Sequence, residues 1–494
     1  MPLCRPTEAT LLGLITLNKA YPEALAPGST ACVTPTSPWP CSVPWLGHAL
    51  GRVSPVGAKD ARTLLLEALL SPGLRVLEAR TAAELLDVFV GLEADGEELA
   101  EALAAGSLGR LLPTRAAELQ EALEQGPRGL ALRLWPKLQV VVTLDSGGQA
   151  EAVAALRVLW CQGLAFFSPA YAASGGQLDA GIGCSSDPCQ DHSISACFCS
   201  VKTRNEQAGP GEAFPERLYQ EVQMLGGAGP VVQSEALPSA VAWQKGMHHE
   251  VDKKVVWLSI GVIALNLWPE QPQGSYLLPP GVPFIELLPI KEGTQEGAAS
   301  TLLLTDAQKE EDYELVLTDA TSLTRCRLGD VVRVVGTYNQ CPVVRFTCRL
   351  GQTLSIRGEV TDETVFSAAL AQAVEQWPGA KLLDHVCVES SILDSWGGSA
   401  PHYEVFVELR GLRNLSEENR DKLDHCLQDA SPQYKSLRLR GSVSPAKVHL
   451  VGPGSFRVLR EALAACPCSA WPPEMPRVLR LRRLAQLLQK RVLS

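Results

Sequence analysis

The chain is short of several features, and each shortage excludes something. Aromatic residues fill only 6% of its 494 positions, so the core has to be mainly aliphatic. Basic residues do not dominate: 44 Lys and Arg face 54 Asp and Glu, a formal charge of −10. A general surface for nucleic acid or anionic lipid needs clustered cations, so neither is expected, although a local pocket for one nucleotide remains open. Long apolar runs are missing as well. Residues 10–18 are too few to span a bilayer, and no small-residue cleavage pattern follows them. Residues 158–178 form a longer uncharged window, but Gln162, Pro169 and several Ser and Gly suit a buried strand and loop. No transmembrane span is expected. The 15 cysteines are scattered and odd in number, which reads as reduced thiols and a cytoplasmic location. A longer form with an N-terminal hydrophobic segment would point instead to the endoplasmic reticulum or nuclear envelope.

What is present is an α/β pattern. Residues 7–26 read as a helix, and residues 27–57 as a long loop carrying Pro35, Pro38, Pro40 and Pro44. Residues 59–124 repeat apolar side chains at helical spacing, as in Leu85, Leu86, Val88 and Phe89. The run LQVVVTL (138–144) has no alternation, the mark of a strand buried on both faces, and 150–160 reads as its crossover helix. Residues 164–176 are then the next parallel strand and its exit loop, where open α/β sheets bind ligands. Residues 177–261 lose this rhythm and read as an insertion. Further strands follow in IALNLWPE, SYLLPPGVPFIELLPI, STLLLTD and YELVLT. Beyond residue 350 a smaller α+β unit is expected, with helices at 362–376 and 417–428 and strands near 386–392 and 402–409. The expected domains are thus 1–350, interrupted at 177–261, and 351–494. Ser416 reads as a helix N-cap rather than part of a glycosylation sequon.

Residues 313–356 carry the strongest chemical signal. In RCRLGD (325–330), Gly329 would permit a tight turn while the Asp330 carboxylate accepts hydrogen bonds from two adjacent hydroxyls, as a ribose presents. Arg345 and Arg349 would meet phosphate.

Taken in order, RLWPKLQVV, FFSPAYAASGG, IALNLWPE, PFIELLPI, YELVLT, RCRLGDVVRV, RFTCR, LSI, HYEVFVEL and QYKSLR resemble the Gretchen Hagen family of acyl acid amido synthetases, including its animal members. The resemblance implies an adenylate-forming fold: a large N-terminal domain of mixed and parallel sheets with helices, and a smaller mobile C-terminal α+β domain. It implies a ligase that joins a small carboxylic acid to an amino acid through an acyl-adenylate, using ATP and magnesium. It also implies roles. Asp330 falls at the family's ribose-binding aspartate, Tyr171 at the adenine-lining tyrosine of Y-x-S-S-E, and Ser174 at that motif's second serine. Arg349 occupies the hinge arginine. Lys435 matches the mobile-domain lysine that would act in catalysis, with Arg438 beside it; a merely exposed lysine is the competing reading.

Two departures imply impaired catalysis. Gly175 stands where active members carry the glutamate that helps hold magnesium, and no Ser/Thr-rich phosphate loop precedes the first helix. ATP binding is therefore in question, and a non-catalytic interaction protein retaining the fold is the competing function. The insertion is what a retained intron or alternative exon would produce. Its Cys184, Cys189, His192, Cys197 and Cys199 lack paired C-x-x-C spacing, so no metal site is assigned. The tail 477–491, with six basic residues and no acid, reads as an amphipathic helix docked on its own domain.

Overall fold

The strand at 138–144 lacks alternation because helices cover both of its faces. In the computed structural model, β1 (Thr30–Cys32), β2 (Val76–Glu78), β3 (Val140–Val142) and β4 (Ala165–Phe167) form a parallel sheet in that order. Leu77 and Val141 point into one apolar cluster, built with the helices from Ala61–Leu69 to Ala150–Val158. Val76, Val140, Val142 and Phe167 point into another, with Leu14 and Leu17 of the helix Arg5–Ala20. Both β1 and β2 escaped the sequence reading. Each is three residues long, too short to show a period, and β2 lies between strong helix formers.

The structure describes residues 5–40, 60–106, 112–174, 259–271, 274–281, 283–290, 300–318, 325–393, 400–412, 414–464 and 475–493. All belong to one unit, Met1–Leu178 with Val256–Ser494. Gly175 and the candidate zinc residues Cys184, Cys189, His192, Cys197 and Cys199 lie outside the described residues. Among those described, no helix is long and apolar enough to cross a membrane.

Residues 164–176 do not form one strand and its loop. The chain leaves the first sheet at Ser168-Pro169, and β5 (Ala170–Ser174) opens a second, antiparallel sheet with β6 (Ser259–Leu265), β7 (Tyr276–Leu277), β8 (Phe284–Pro289), β9 (Asp312–Thr318), β10 (Arg325–Tyr338) and β11 (Cys341–Arg349). Its order is β5-β6-β7-β11-β10-β9-β8. Ser259 and Gly261 already pair with β5, so they belong to the sheet rather than to an insertion. The expected strand STLLLTD supplies only a bridge at Leu302 and a 3-10 turn, Leu304–Asp306. Gly329 (φ +82°) makes no tight turn. It sits at a shift of register inside the continuous β10, a bulge that re-aims the next side chain.

The carboxy-terminal part begins with the hairpin β12 (Thr353–Ile356) and β13 (Glu359–Asp362), followed by β14 (Lys381–Glu389), β15 (Tyr403–Arg410) and β16 (Lys447–Leu450). Helices Glu363–Glu375, Glu417–Ala430 and Pro432–Leu439 cover one face, and Ser455–Ala464 with Arg482–Gln489 the other. Ser416 Oγ accepts from Asn419 N at 3.3 Å and caps its helix as read from sequence. The tail helix is only eight residues long and buries Leu484, Ala485 and Leu488 on its own neighbours.

Ion pairs join this part to the amino-terminal helices. Arg460 binds Asp87 and also Asp384 (2.7 Å), and Arg477 binds Asp384 (2.5 Å) and Glu151 (2.9 Å). Arg410 pairs with Glu93 and lies over the Trp160 ring. Burial pushes the Glu151 carboxyl up, but His385 and Arg477 outweigh it and hold it at about 2.

Inside the carboxy-terminal part, Asp424 accepts from Tyr434 Oη (2.6 Å), Arg438 Nε (3.0 Å) and Ala446 N (3.1 Å). Burial raises its pKa, yet Arg438 and Tyr434 prevail and lower it. A depressed folded pKa contributes stability above the ordinary value of about 3.9 and loses it as pH falls through the folded value. Asp424→Asn is expected to cost about 3 kcal/mol in urea denaturation at pH 7, because Arg438 is left uncompensated. The gap from wild type should shrink toward pH 3; a gap that ignores pH would refute the charge-based origin.

Candidate functional site

The carboxyl ends of the parallel strands converge on a loop, Asp145-Ser146-Gly147-Gly148-Gln149, that follows β3. Asp145 shapes it: its carboxylate accepts from Gly147 N (2.9 Å) and Tyr276 Oη (2.7 Å), while its N–H donates to Ser168 Oγ (2.9 Å). Gly147 has φ +99°, and a Cβ there would stand 2.7 Å from the Phe346 ring and 2.8 Å from Tyr171 Oη. Only glycine fits.

Against this loop the antiparallel sheet presents a buried charge cluster. Asp330, fully buried on β10, accepts Tyr171 Oη at 2.7 Å on one carboxylate oxygen and Arg349 Nε at 2.5 Å on the other. Its neighbour in register on β11 is Arg349 itself. Arg349 also donates to Ser146 O at 3.3 Å, tying the two sheets together. Tyr171 stacks on Phe346 (6.1 Å between centroids) and tilts against Tyr276 (5.6 Å). Burial, then Asp330, push the Tyr171 phenol far above its ordinary range, so it stays a neutral donor. Burial works against the Arg349 charge, and Asp330 more than restores it.

Tyr171, Asp330 and Arg349, chosen from sequence, are therefore brought together, but as one another's partners. Ser174 lies at the end of β5 opposite Ser259; nothing further is described of its side chain. Arg345 sits on the same strand as Arg349, with its Nε buried and unpartnered. Lys435 lies elsewhere, half-exposed on the helix Pro432–Leu439, 3.5 Å from Asp429. Arg438, its companion in the motif, is committed to Asp424. Asp145, Ser146, Gly147, Tyr276 and Phe346 were missed. The DSGG loop directly after a doubly buried strand was the available signal.

Beside the cluster is a cavity of about 520 Å³, lined by residues after β1 (Thr34, Thr36), after β2 (Arg80, Thr81) and after β3 (Ser146, Gln149). Ser146 is common to both: its carbonyl meets Arg349, and the residue lines the cavity. Among the described residues, no group of three His, Cys, Asp or Glu converges as a metal site.

Family models match three stretches: "Vertebrate GH3, N-terminal domain" at residues 92–157, "GH3 family central domain" at 276–349 and "GH3 family C-terminal domain" at 364–466. A solved structure described as "AtGH3.15 acyl acid amido synthetase in complex with 2,4-DB" has the same fold, with TM-score 0.61 and 17% identity over 100% of this chain and 79% of that one. The mouse (Mus musculus) "GH3 domain-containing protein" is 74% identical over 99% of this chain and 76% of its own length. The chain belongs to the GH3 family. A rice (Oryza sativa subsp. indica) "Indole-3-acetic acid-amido synthetase GH3.8" is 32% identical over 47% of this chain and 39% of its own length.

Removing one member of a buried pair strands the other, at a cost of about 3–5 kcal/mol. Arg349→Met should lose stability on that scale in chemical denaturation, and Asp330→Leu added to it should recover much of the loss. A single Arg349→Met with unchanged midpoint would show that Asp330 is not held by this pair.

Proposed function

We propose that this chain is an acid–amino acid ligase of the acyl-adenylate type whose nucleotide site is self-occupied, so that turnover is slow or absent. The observation that supports this reading is the Tyr171–Asp330–Arg349 cluster, in which the three residues this reading assigns to adenine, ribose and phosphate touch one another beside one loop. In the working enzyme Asp330 would exchange Tyr171 and Arg349 for the two ribose hydroxyls, Tyr171 would line the base, and Arg349 would turn to the phosphates. The small carboxylic acid would enter the cavity bounded by Ser146 and attack the α-phosphorus of ATP, releasing pyrophosphate; the neutral amine of an amino acid would then attack the acyl carbon, breaking its bond to the phosphate oxygen so that AMP leaves, and lose a proton to solvent as the amide forms. Residues 1–350 and 351–494 would act as two bodies about Leu350-Gly351, with Lys435 carried by the second. Magnesium would arrive on ATP's own phosphate oxygens, because Gly175 offers no carboxylate.

Support for impairment comes from the same geometry. A nucleotide has to break a buried, charge-assisted pair before it gains its own contacts, and the cost is several kcal/mol. Gly175 also supports the second reading, an interaction protein that keeps the fold without the chemistry.

ATP at a hundred times its dissociation constant would stabilise a competent fold by about 2.7 kcal/mol. Millimolar ATP with magnesium is expected to raise the melting temperature, while carboxylate-dependent exchange of labelled pyrophosphate into ATP stays near background. A flat melting curve would remove nucleotide binding from the reading, and robust exchange would remove impairment.

A further inference from the structure

The connection between the two parts of the chain is gripped by the tail. β11 ends at Arg349 and β12 starts at Thr353, so Leu350, Gly351 (φ +79°) and Gln352 form the hinge. Gln352 Oε1 accepts from the backbone N–H groups of Arg477 (2.6 Å) and Val478 (3.2 Å), and Arg480 Nη2 donates to Thr353 O at 3.0 Å. The gripping segment is itself fixed to the edge of β14. Cys387 N donates to Arg477 O and Leu479 N to Cys387 O, each at 2.8 Å, while the Val478 and Leu479 side chains are buried.

The Arg477 side chain carries the contact across to the amino-terminal part. Its guanidinium donates to Asp384 Oδ1 (2.5 Å) and His385 O (2.9 Å) on β14 and stands 2.9 Å from Glu151 of the helix Ala150–Val158. Glu151 also lies 3.3 Å from His385 Nδ1, so among the described residues both of its ion-pair partners come from the carboxy-terminal part. Burial opposes the Arg477 charge, but Asp384 and Glu151 prevail and raise its pKa. Met475, two residues upstream, lines the cavity. One short segment thus touches the hinge, both parts of the chain and the cavity wall.

We propose that residues 477–480 are a latch, which clamps the hinge and holds the carboxy-terminal part in this orientation until it lets go. A hinge turns by changing φ and ψ over a few residues. Here the Gln352 side chain and the Thr353 carbonyl are bound to a segment packed on β14, so the connection cannot twist without breaking those bonds. Arg460–Asp87 and Arg410–Glu93 resist the same turn, but among the described residues neither pair bonds the hinge. The latch can open without unfolding its part. Its bonds to Gln352 use an amide side chain rather than a strand ladder, and the Arg480 bond is exposed, so local opening leaves β14, β15 and β16 paired. That the two parts turn at all rests on the ligase reading; the clasp of the tail on the hinge does not.

The test is amide hydrogen exchange of the full chain, read at Arg477 and Val478 with the Val405 and Val407 amides of central strand β15 as reference, beside small-angle scattering for the placement of the two parts. Gln352→Leu removes the acceptor on the hinge, and Glu151→Gln removes the charge that Arg477 grips. Each should speed exchange at Arg477 and Val478 at least tenfold, leave the β15 amides unchanged and shift the scattering curve. Arg333→Gln, which breaks an ion pair with Asp312 inside the antiparallel sheet, should do neither. If a variant fails to fold, the wild-type chain decides: its two tail amides should exchange by local opening, faster than those of β15. Tail amides that exchange only together with β15, wild-type rates in both variants, or a shifted scattering curve with the tail still protected would overturn the latch. Faster tail exchange with unchanged scattering leaves the clasp on the hinge standing and counts against two turning parts, and with them the ligase reading.

Discussion

The contact between Arg349 and Asp330 is the constraint on which the rest of the arrangement depends. A carboxylate with no exposure to water is tolerable only when its charge is matched and its oxygens are bonded. Here Arg349 supplies the charge and Tyr171 the second bond. The same arginine reaches the Ser146 carbonyl, so one cation satisfies the antiparallel sheet and anchors the loop that ends the parallel one. Gly147 is confined to glycine by this packing, and Asp145 is fixed by Tyr276 from a third strand.

Where the site lies follows from topology. Parallel strands deliver their loops to one edge, so Thr34, Arg80 and Ser146, distant in sequence, face a common space. The carboxy-terminal part closes that space: Arg460 lines the cavity and binds both Asp87 and Asp384, one from each part of the chain. An occupant would therefore contact residues whose pairing also joins the two parts. This is where ligand binding and the relation between them would be coupled.

Much of this was legible in the sequence, and the failures have physical causes. The Val-Val-Val run announced a doubly covered strand, and Ser416 announced its cap. Asp330 was legible as a special carboxylate from RLGDVV. Its partner Tyr171 is 159 residues away, and no local pattern encodes that contact. Gly329 read as a turn because glycine after Cys-Arg-Leu is locally permissive, but pairing to β9 on one side and β11 on the other carries the strand through as a bulge. Lys435 and Arg438 read alike as basic residues of one motif. Only the fold separates them, since Asp424 claims the arginine and leaves the lysine at the surface.

If Asp330 exchanges internal partners for a ribose, the sugar hydroxyls must repay that loss, and a nucleotide without them should fail. Calorimetry comparing ATP with 2′,3′-dideoxy-ATP reads this directly. The expected result is measurable binding of ATP with at least tenfold weaker binding of the dideoxy form, the loss of about 1.4 kcal/mol that hydrogen bonds to a charged group supply. Equal affinities would mean that Asp330 never releases Arg349 and Tyr171, and that its role is confined to holding the two sheets together.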